Sequence, residues 1–486
     1  MRSRKLVPNP VSHIAFRTPI VSRGGLGGRL TGAIWWILPF AATGLLGVAS
    51  GVSLTHEPRL SKLLFAAPLL LLAFAVQPEK LFVGWLLLAP LVQGAANGSA
   101  QGHLLFKYFF LGPPLIMVVR MATGSFRSRG FWLVDAFPAL YLLDILVSAR
   151  LFPSAYTSPA QSTTRAIYIA VGACVVVYYF VAFAPASRRF PELVAAAFIW
   201  TGVVVAALAI VDGLTGWNVW HHLINGGGTR RAVSTFSGPE ELGTYIGAST
   251  AFALGVLLFR GPKSLRLPSL LVLGLSAPAL FFSYTRGPML ATAVVAVVIA
   301  LLATRARWPA VLVLAAAGVI LYASWGAITS SAIYKNRLAV NTATPRVVLT
   351  DAALDLFRRH PLTGVGYATF DQAKLTLPVP PADTYIVQTT TSHNTFLTVL
   401  AESGALGLAL LVLPWFVIGW RAVMDSRRGL VQPWIVAGCL GTVGAYAIGA
   451  ATYDARFFPL VFGLPWITLG LARKVVGGHT TLAESG

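Results

Sequence analysis

The feature that most constrains this chain is its succession of long apolar runs. Nearly uncharged stretches recur near 31–53, 60–76, 79–97, 103–121, 131–149, 165–185, 190–213, 239–259, 267–283, 287–304, 308–327, 394–420, 431–450 and 454–473. A helix needs about 20 apolar residues to cross the hydrocarbon core of a bilayer, and tilt or kinking widens that range. Of the 486 residues, 56% are hydrophobic and 11% charged. A water-soluble fold of this length could not bury that much apolar surface, whereas lipid accepts it. The pattern predicts an all-α polytopic transmembrane helical bundle of about 12–14 spans, with the closely joined pair 60–76 and 79–97 accounting for the range. The first run is too long for a signal-peptide core and lacks a clear cleavage site, so it is read as a retained helix. Cys174 and Cys439 both sit inside apolar runs and suggest neither a disulfide nor a metal site.

The net charge of +21 would suggest nucleic acid in a soluble protein. Here the cations follow the membrane instead, and no nucleic-acid partner is expected. With both ends in the cytoplasm, every short inner segment carries at least one, among them Lys80, Arg120, Arg188, Arg260, Arg305, Arg421 and Arg473. The chain then divides into a basic tail (1–30), a first group of membrane helices (31–327), a long outer loop (328–393), C-terminal membrane helices (394–473) and a second tail (474–486). A shorter outer segment runs over 214–238. Connections beyond about 12–15 residues are usually functional or carry structure of their own. Within 328–393, Thr344-Pro345 reads as a helix start, Leu349, Ala352, Ala353 and Leu356 fall on one face, Asp355 can pair with Arg358 or Arg359, and His360-Pro361 ends the run. This predicts an amphipathic helix of about four turns, serving either to pack over the bundle or to help bind an acceptor.

Polar residues at the expected outer boundary carry the candidate chemistry. Arg286, in FFSYTRGPML, could snorkel to the interface, or a tight turn could aim it into an outward-facing polar cavity. Arg230 and Arg231 lie in GGGTRRAVSTFSGPEELG just before a helix, an arrangement that is either simply solvated or an anion site built from guanidinium groups and free N–H groups. His393 opens the span SHNTFLTVLAESGALG, with Thr391 or Ser392 expected to cap it, and is either a structural histidine or a general base. Glu402 is an acid inside an apolar run, so it should face the bundle and have a partner; it lies roughly 13–14 Å from His393 along the helix axis, too far for a direct dyad. Asp135, Asp144, Asp212, Asp454 and Arg456 are further candidates for ion pairs. No metal-ligand spacing, P-loop or dinucleotide fingerprint is present, so neither metal nor cofactor is expected.

Four of these segments together resemble the O-antigen ligase and O-antigen polymerase superfamily of bacterial inner-membrane proteins. They are RAVSTFSGPEELG, SYTRG, RVVLTDAALDLFRRHPLTGVGYATF and SHNTFLTVLAESGALG, in that order over 231–407. The resemblance implies an inverting, metal-independent glycosyltransferase in cell-surface polysaccharide biosynthesis, set in the cytoplasmic membrane with its site facing the exterior. A glycan would pass from undecaprenyl diphosphate to a hydroxyl of a glycan, lipid or protein acceptor. Arg231 and Arg286, with Arg230 beside them, would hold the diphosphate, and His393 would activate the acceptor. Arg346, Glu402 and Asn394 are supporting candidates. One departure stands out: the family's Pro-Asn is Pro239-Glu240 here, which adds negative charge near the expected anion site. The alternative function is a transporter or flippase of a lipid-linked or anionic substrate, which would favour midplane charges and an inverted repeat; here the notable cations cluster near the outer boundary and no inverted repeat is visible.

Overall fold

The apolar runs form helices whose ends are marked by proline at the first turn or by a residue that cannot continue the helix. The computed structural model describes residues 78–97, 131–151, 175–184, 187–220, 225–226, 229–303, 326, 330, 343–390 and 392–483, all within the unit Ala73–Gly486. The tail 1–30, the spans expected near 31–53, 60–76 and 103–121, and nearly all of that near 308–327 lie outside the described residues. The main helices are α1 (Pro78–Val92), α2 (Ala136–Leu151), α3 (Phe190–Thr215), α4 (Pro239–Leu258) and α5 (Arg266–Ser283). They continue with α6 (Arg286–Leu302), α7 (Ala343–Arg359), α8 (Thr395–Arg427), α9 (Pro433–Ala450) and α10 (Pro459–Ala483). Among the described residues, six helices are long and apolar enough to cross a membrane, and α6 is a shorter apolar one. Large apolar side chains such as Leu267, Leu290, Leu302, Phe416 and Trp420 lie exposed on the outer faces of these helices. Such surface is stable against lipid but not against water. The molecule is an all-α, polytopic membrane bundle. Helix α10 runs past the expected boundary at 473 to Ala483.

The helix ends collect at two ends of the bundle, where buried polar residues lie. At one end Asp135, just before α2, accepts from Arg473 of α10 through Nε at 3.0 and 3.1 Å and Nη2 at 3.0 Å, and from the Tyr178 hydroxyl at 2.5 Å. Arg473 also lies 3.6 Å over the Trp132 ring, and both Arg473 and Asp135 are buried. The opposite end gathers the start of α4, the α5–α6 turn, the start of α8 and the α9–α10 turn.

That second end is roofed by the loop 343–390. Helix α7 is the expected amphipathic helix: Leu349, Ala352, Ala353 and Leu356 are buried against Val365, Phe370, Ala373, Leu377 and Ala401 of α8. It starts at Ala343, so Thr344 and Pro345 fall inside its first turn rather than at its boundary. On its solvent face Arg358 donates to Asp355 at 2.9 Å.

The segment after α7 threads into a break in α8. Gly404 adopts φ 65°, ψ −166° inside that helix, a conformation open essentially to glycine alone. The break frees backbone groups, and Pro361-Leu-Thr-Gly-Val-Gly366 occupies them. The N–H of Val365 donates to the Ala401 carbonyl at 3.0 Å, that of Gly366 to the Glu402 carbonyl at 2.9 Å, and that of Ala405 to the Pro361 carbonyl at 2.8 Å. A Cβ on Gly364 would lie 2.2 Å from the Glu402 carbonyl carbon, and one on Gly404 would lie 2.3 Å from that of Leu362. Irregular backbone survives in a membrane helix when protein satisfies it, and here one loop does so.

Candidate active site

Two adjacent arginines face opposite ways, and the reason is Asp212. This buried carboxylate, at the end of α3, accepts from Arg230 Nη2 at 3.0 Å and from the backbone N–H groups of Val233 and Ser234 at 2.8 and 3.0 Å. The guanidinium of Arg230 packs on Gly216, the left-handed cap of α3, where a Cβ would lie 2.0 Å from Nη1. The loop is fastened further by Ser234 Oγ donating to the Val205 carbonyl at 2.9 Å, by Thr235 Oγ1 donating to the Pro90 carbonyl at 2.7 Å, and by a fully buried Phe236. Serine, threonine and phenylalanine in this motif therefore anchor the loop. Arg230, expected beside the diphosphate, is instead part of that anchor and does not line the cavity described next. Fastening the loop turns Arg231 the other way, where its Nε donates to the Ser283 carbonyl at 3.2 Å.

Arg231 faces a cavity of about 330 Å3 that Arg286, Arg346 and His393 also line. Helix α5 ends at Ser283, Tyr284 takes a left-handed conformation (φ 50°), and α6 starts at Arg286. This reversal places Arg286 on the cavity rim. Arg346 comes from the first turn of α7. The capping of α8 differs from expectation: Asn394 is the N-cap, with Oδ1 accepting from the N–H groups of Phe396 and Leu397 at 3.0 and 3.1 Å, and His393 precedes the cap instead of lying in the first turn. Asparagine is as good a cap as serine, and it wins here because its carboxamide reaches two N–H groups. The remaining walls include Tyr284, Thr452, Tyr453 and Phe458.

The electrostatics are those of an anion site with one internal counter-ion. Arg231 Nη2 lies 2.6 Å from Glu240 Oε1, so the acid that departs from the family pattern sits inside the cavity. Asp454 also lines it, but its carboxylate is committed to Arg456, which donates to it through Nε at 3.0 Å and Nη2 at 2.8 Å. Partial burial and the neighbouring Arg286 lower the pKa of Arg346, with Glu240 opposing them; a guanidinium stays charged regardless. Three cations against Glu240 leave the cavity net positive. Partial desolvation by the cavity walls, followed by the charge of Arg346, lowers the pKa of His393. Its imidazole is therefore neutral and able to accept a proton near neutral pH.

Glu402 does not reach the cavity. It is buried, pairs with Arg456 Nη1 at 2.6 Å, and accepts from the N–H groups of Ala368 and Phe370 at 2.9 and 3.0 Å. It thus ties the α8 break to the roofing loop, and through Arg456 to Asp454. Among the described residues no group of three or more His, Cys, Asp or Glu side chains is placed to hold a metal ion. Sequence reasoning passed over Tyr284, Thr452 and Tyr453 as wall residues. Their only signal was position, since each lies in a turn between consecutive membrane helices on the same side as Arg286.

No curated protein matches the chain. Residues 270–412 match the family model described as O-Antigen ligase, a stretch that carries Arg286, Arg346 and His393 but not Arg231 or Glu240. The chain is a multi-pass membrane protein whose residues 270–412 match the O-antigen ligase domain, and that match supports a membrane glycosyltransferase-like function in polysaccharide biosynthesis.

Proposed function

We propose that the protein passes a glycan from undecaprenyl diphosphate to an acceptor hydroxyl at the outer face of the cytoplasmic membrane. The observation that carries this reading is the convergence of Arg231, Arg286 and Arg346 on one cavity beside His393. Holding three like charges together costs free energy that a polyanion would recover, and guanidinium forks match phosphate oxygens. A cavity at the helix ends suits a donor whose head is ionic and whose tail must stay in lipid. The inner-end assignment of Arg421 and Arg473 by the distribution of basic loops supports an outward-facing cavity.

In the proposed reaction the acceptor oxygen attacks the anomeric carbon from the face opposite the diphosphate. The new carbon–oxygen bond forms as the bond to the diphosphate breaks, with inversion. The electron pair leaves with the diphosphate, where the arginines stabilise the growing charge. The acceptor proton goes to His393. Glu240, paired with Arg231, would give up that pairing to the donor diphosphate.

The test is reconstitution of the purified protein with an undecaprenyl-diphosphate-linked glycan and candidate acceptors. Glycan transfer with release of undecaprenyl diphosphate is expected. Movement of intact donor between leaflets without bond cleavage would instead identify a flippase.

A further inference from the structure

His393 lines two adjoining chambers. Beyond His393, Arg346 and Ser392 the main cavity adjoins a smaller one of about 70 Å3 between α7 and the start of α8. Its own walls are Leu349, Ala353 and Leu397, with Thr350 and Asn394 supplying polar groups. Apart from Arg346 at the shared boundary, its lining carries no formally charged side chain. The two chambers therefore differ in chemistry: one is cationic and open, the other small, neutral and half apolar.

We infer that the smaller chamber is the acceptor subsite, and that it takes an uncharged, hydroxyl-bearing group such as one edge of a sugar ring. This rests on the reading of the larger cavity as the donor site. In an inverting displacement the acceptor approaches from the side away from the diphosphate, and the base must touch the acceptor hydroxyl. This chamber shares His393 with the larger cavity but is lined by neither Arg231 nor Arg286. Its volume holds a few water-sized groups, enough for a hydroxymethyl or the edge of a pyranose but too small for a second diphosphate. Leu349 and Leu397 would meet the C–H face of a sugar. The Asn394 carboxamide has its oxygen fixed by the helix cap, which orients its NH2 group as a donor, and the Thr350 hydroxyl lies on the facing helix. Because α7 supplies both Arg346 and Thr350, docking of this one helix completes the two subsites together.

The test separates acceptor from donor. Thr350→Tyr fills the chamber from α7, and Thr350→Ser keeps the hydroxyl without filling it. Full-length protein is assayed for transfer of labelled glycan in membranes of the producing cell, which contain the acceptor. Purified protein is titrated separately with undecaprenyl diphosphate. The expected result for Thr350→Tyr is a tenfold or greater loss of transfer with diphosphate affinity within about twofold of wild type, while Thr350→Ser transfers at near the wild-type rate. Retained diphosphate binding also shows that the variant has folded. Wild-type transfer by Thr350→Tyr, or a parallel loss of diphosphate binding, overturns the assignment. If the wild-type protein binds no undecaprenyl diphosphate, the donor reading fails first and the chamber assignment falls with it.

Discussion

Arginine does two different jobs at the two ends of this bundle. Arg473 is buried, bonded along its fork to Asp135 and stacked on Trp132; its charge is fully used within the fold. At the other end Arg231 and Arg286 border an open cavity with Arg346, and the one carboxylate bonded to Arg231 there, Glu240, is itself partly exposed. A buried ion pair contributes little net stability relative to apolar packing, yet removing one partner is costly. A cluster of cations at a cavity does the reverse, since it costs some stability in the empty protein and gains by capturing an anion. The difference between the ends is therefore a difference between charge buried in a pair that holds helices together and charge gathered around an open cavity.

That comparison can be broken in several places. Arg286→Ala should lower glycan transfer by roughly 10^3 while the protein still folds and inserts, because one fixed donor to a developing anion contributes on this scale. Arg473→Ala should do the opposite, lowering stability by about 3–5 kcal/mol in thermal unfolding of the solubilised protein while activity per folded molecule stays at the wild-type level. His393→Ala should cut turnover by roughly 10^2 with donor affinity nearly unchanged; a loss of donor binding instead would make the histidine a ligand rather than a base.

Smaller effects sharpen the same contrast. The pKa of His393 is lowered, so as pH falls the imidazole protonates, and activity is lost, only below the ordinary histidine value of about 6.5. The acid limb of kcat/KM should lie there, and Glu240→Gln should move it lower still, because Glu240 opposes the shift. The same substitution should tighten diphosphate binding severalfold by releasing Arg231, a change read by direct titration. Smallest of all, Arg230→Ala should alter transfer by less than about threefold, since Asp212 retains its two backbone donors.

Much of this was legible beforehand because membranes impose simple rules. The apolar runs located α3 to α6 and α8 to α10, and the spacing of Leu349, Ala352, Ala353 and Leu356 located α7. The pairing of Glu402 with a partner followed from the cost of an isolated acid in an apolar helix. What could not be read were matters of side-chain direction. Nothing in the dipeptide Arg230-Arg231 says which guanidinium meets Asp212, a residue far along the chain, and nothing local says that Asn394 outcompetes Ser392 as the cap. The glycines of PLTGVG and AESG looked like ordinary turn and helix residues. Their fit to one another emerges only when the loop crosses the helix, because each leaves out the Cβ that the other's backbone would strike.

The account stands most directly on whether the arginine cavity holds a lipid diphosphate. Equilibrium binding of undecaprenyl diphosphate to the purified protein, compared with undecaprenyl monophosphate and with the Arg231→Ala, Arg286→Ala and Arg346→Ala variants, measures this. Saturable binding that favours the diphosphate and weakens by tenfold or more in each variant is expected. Equal affinity for both lipids, or binding untouched by the three substitutions, would contradict it.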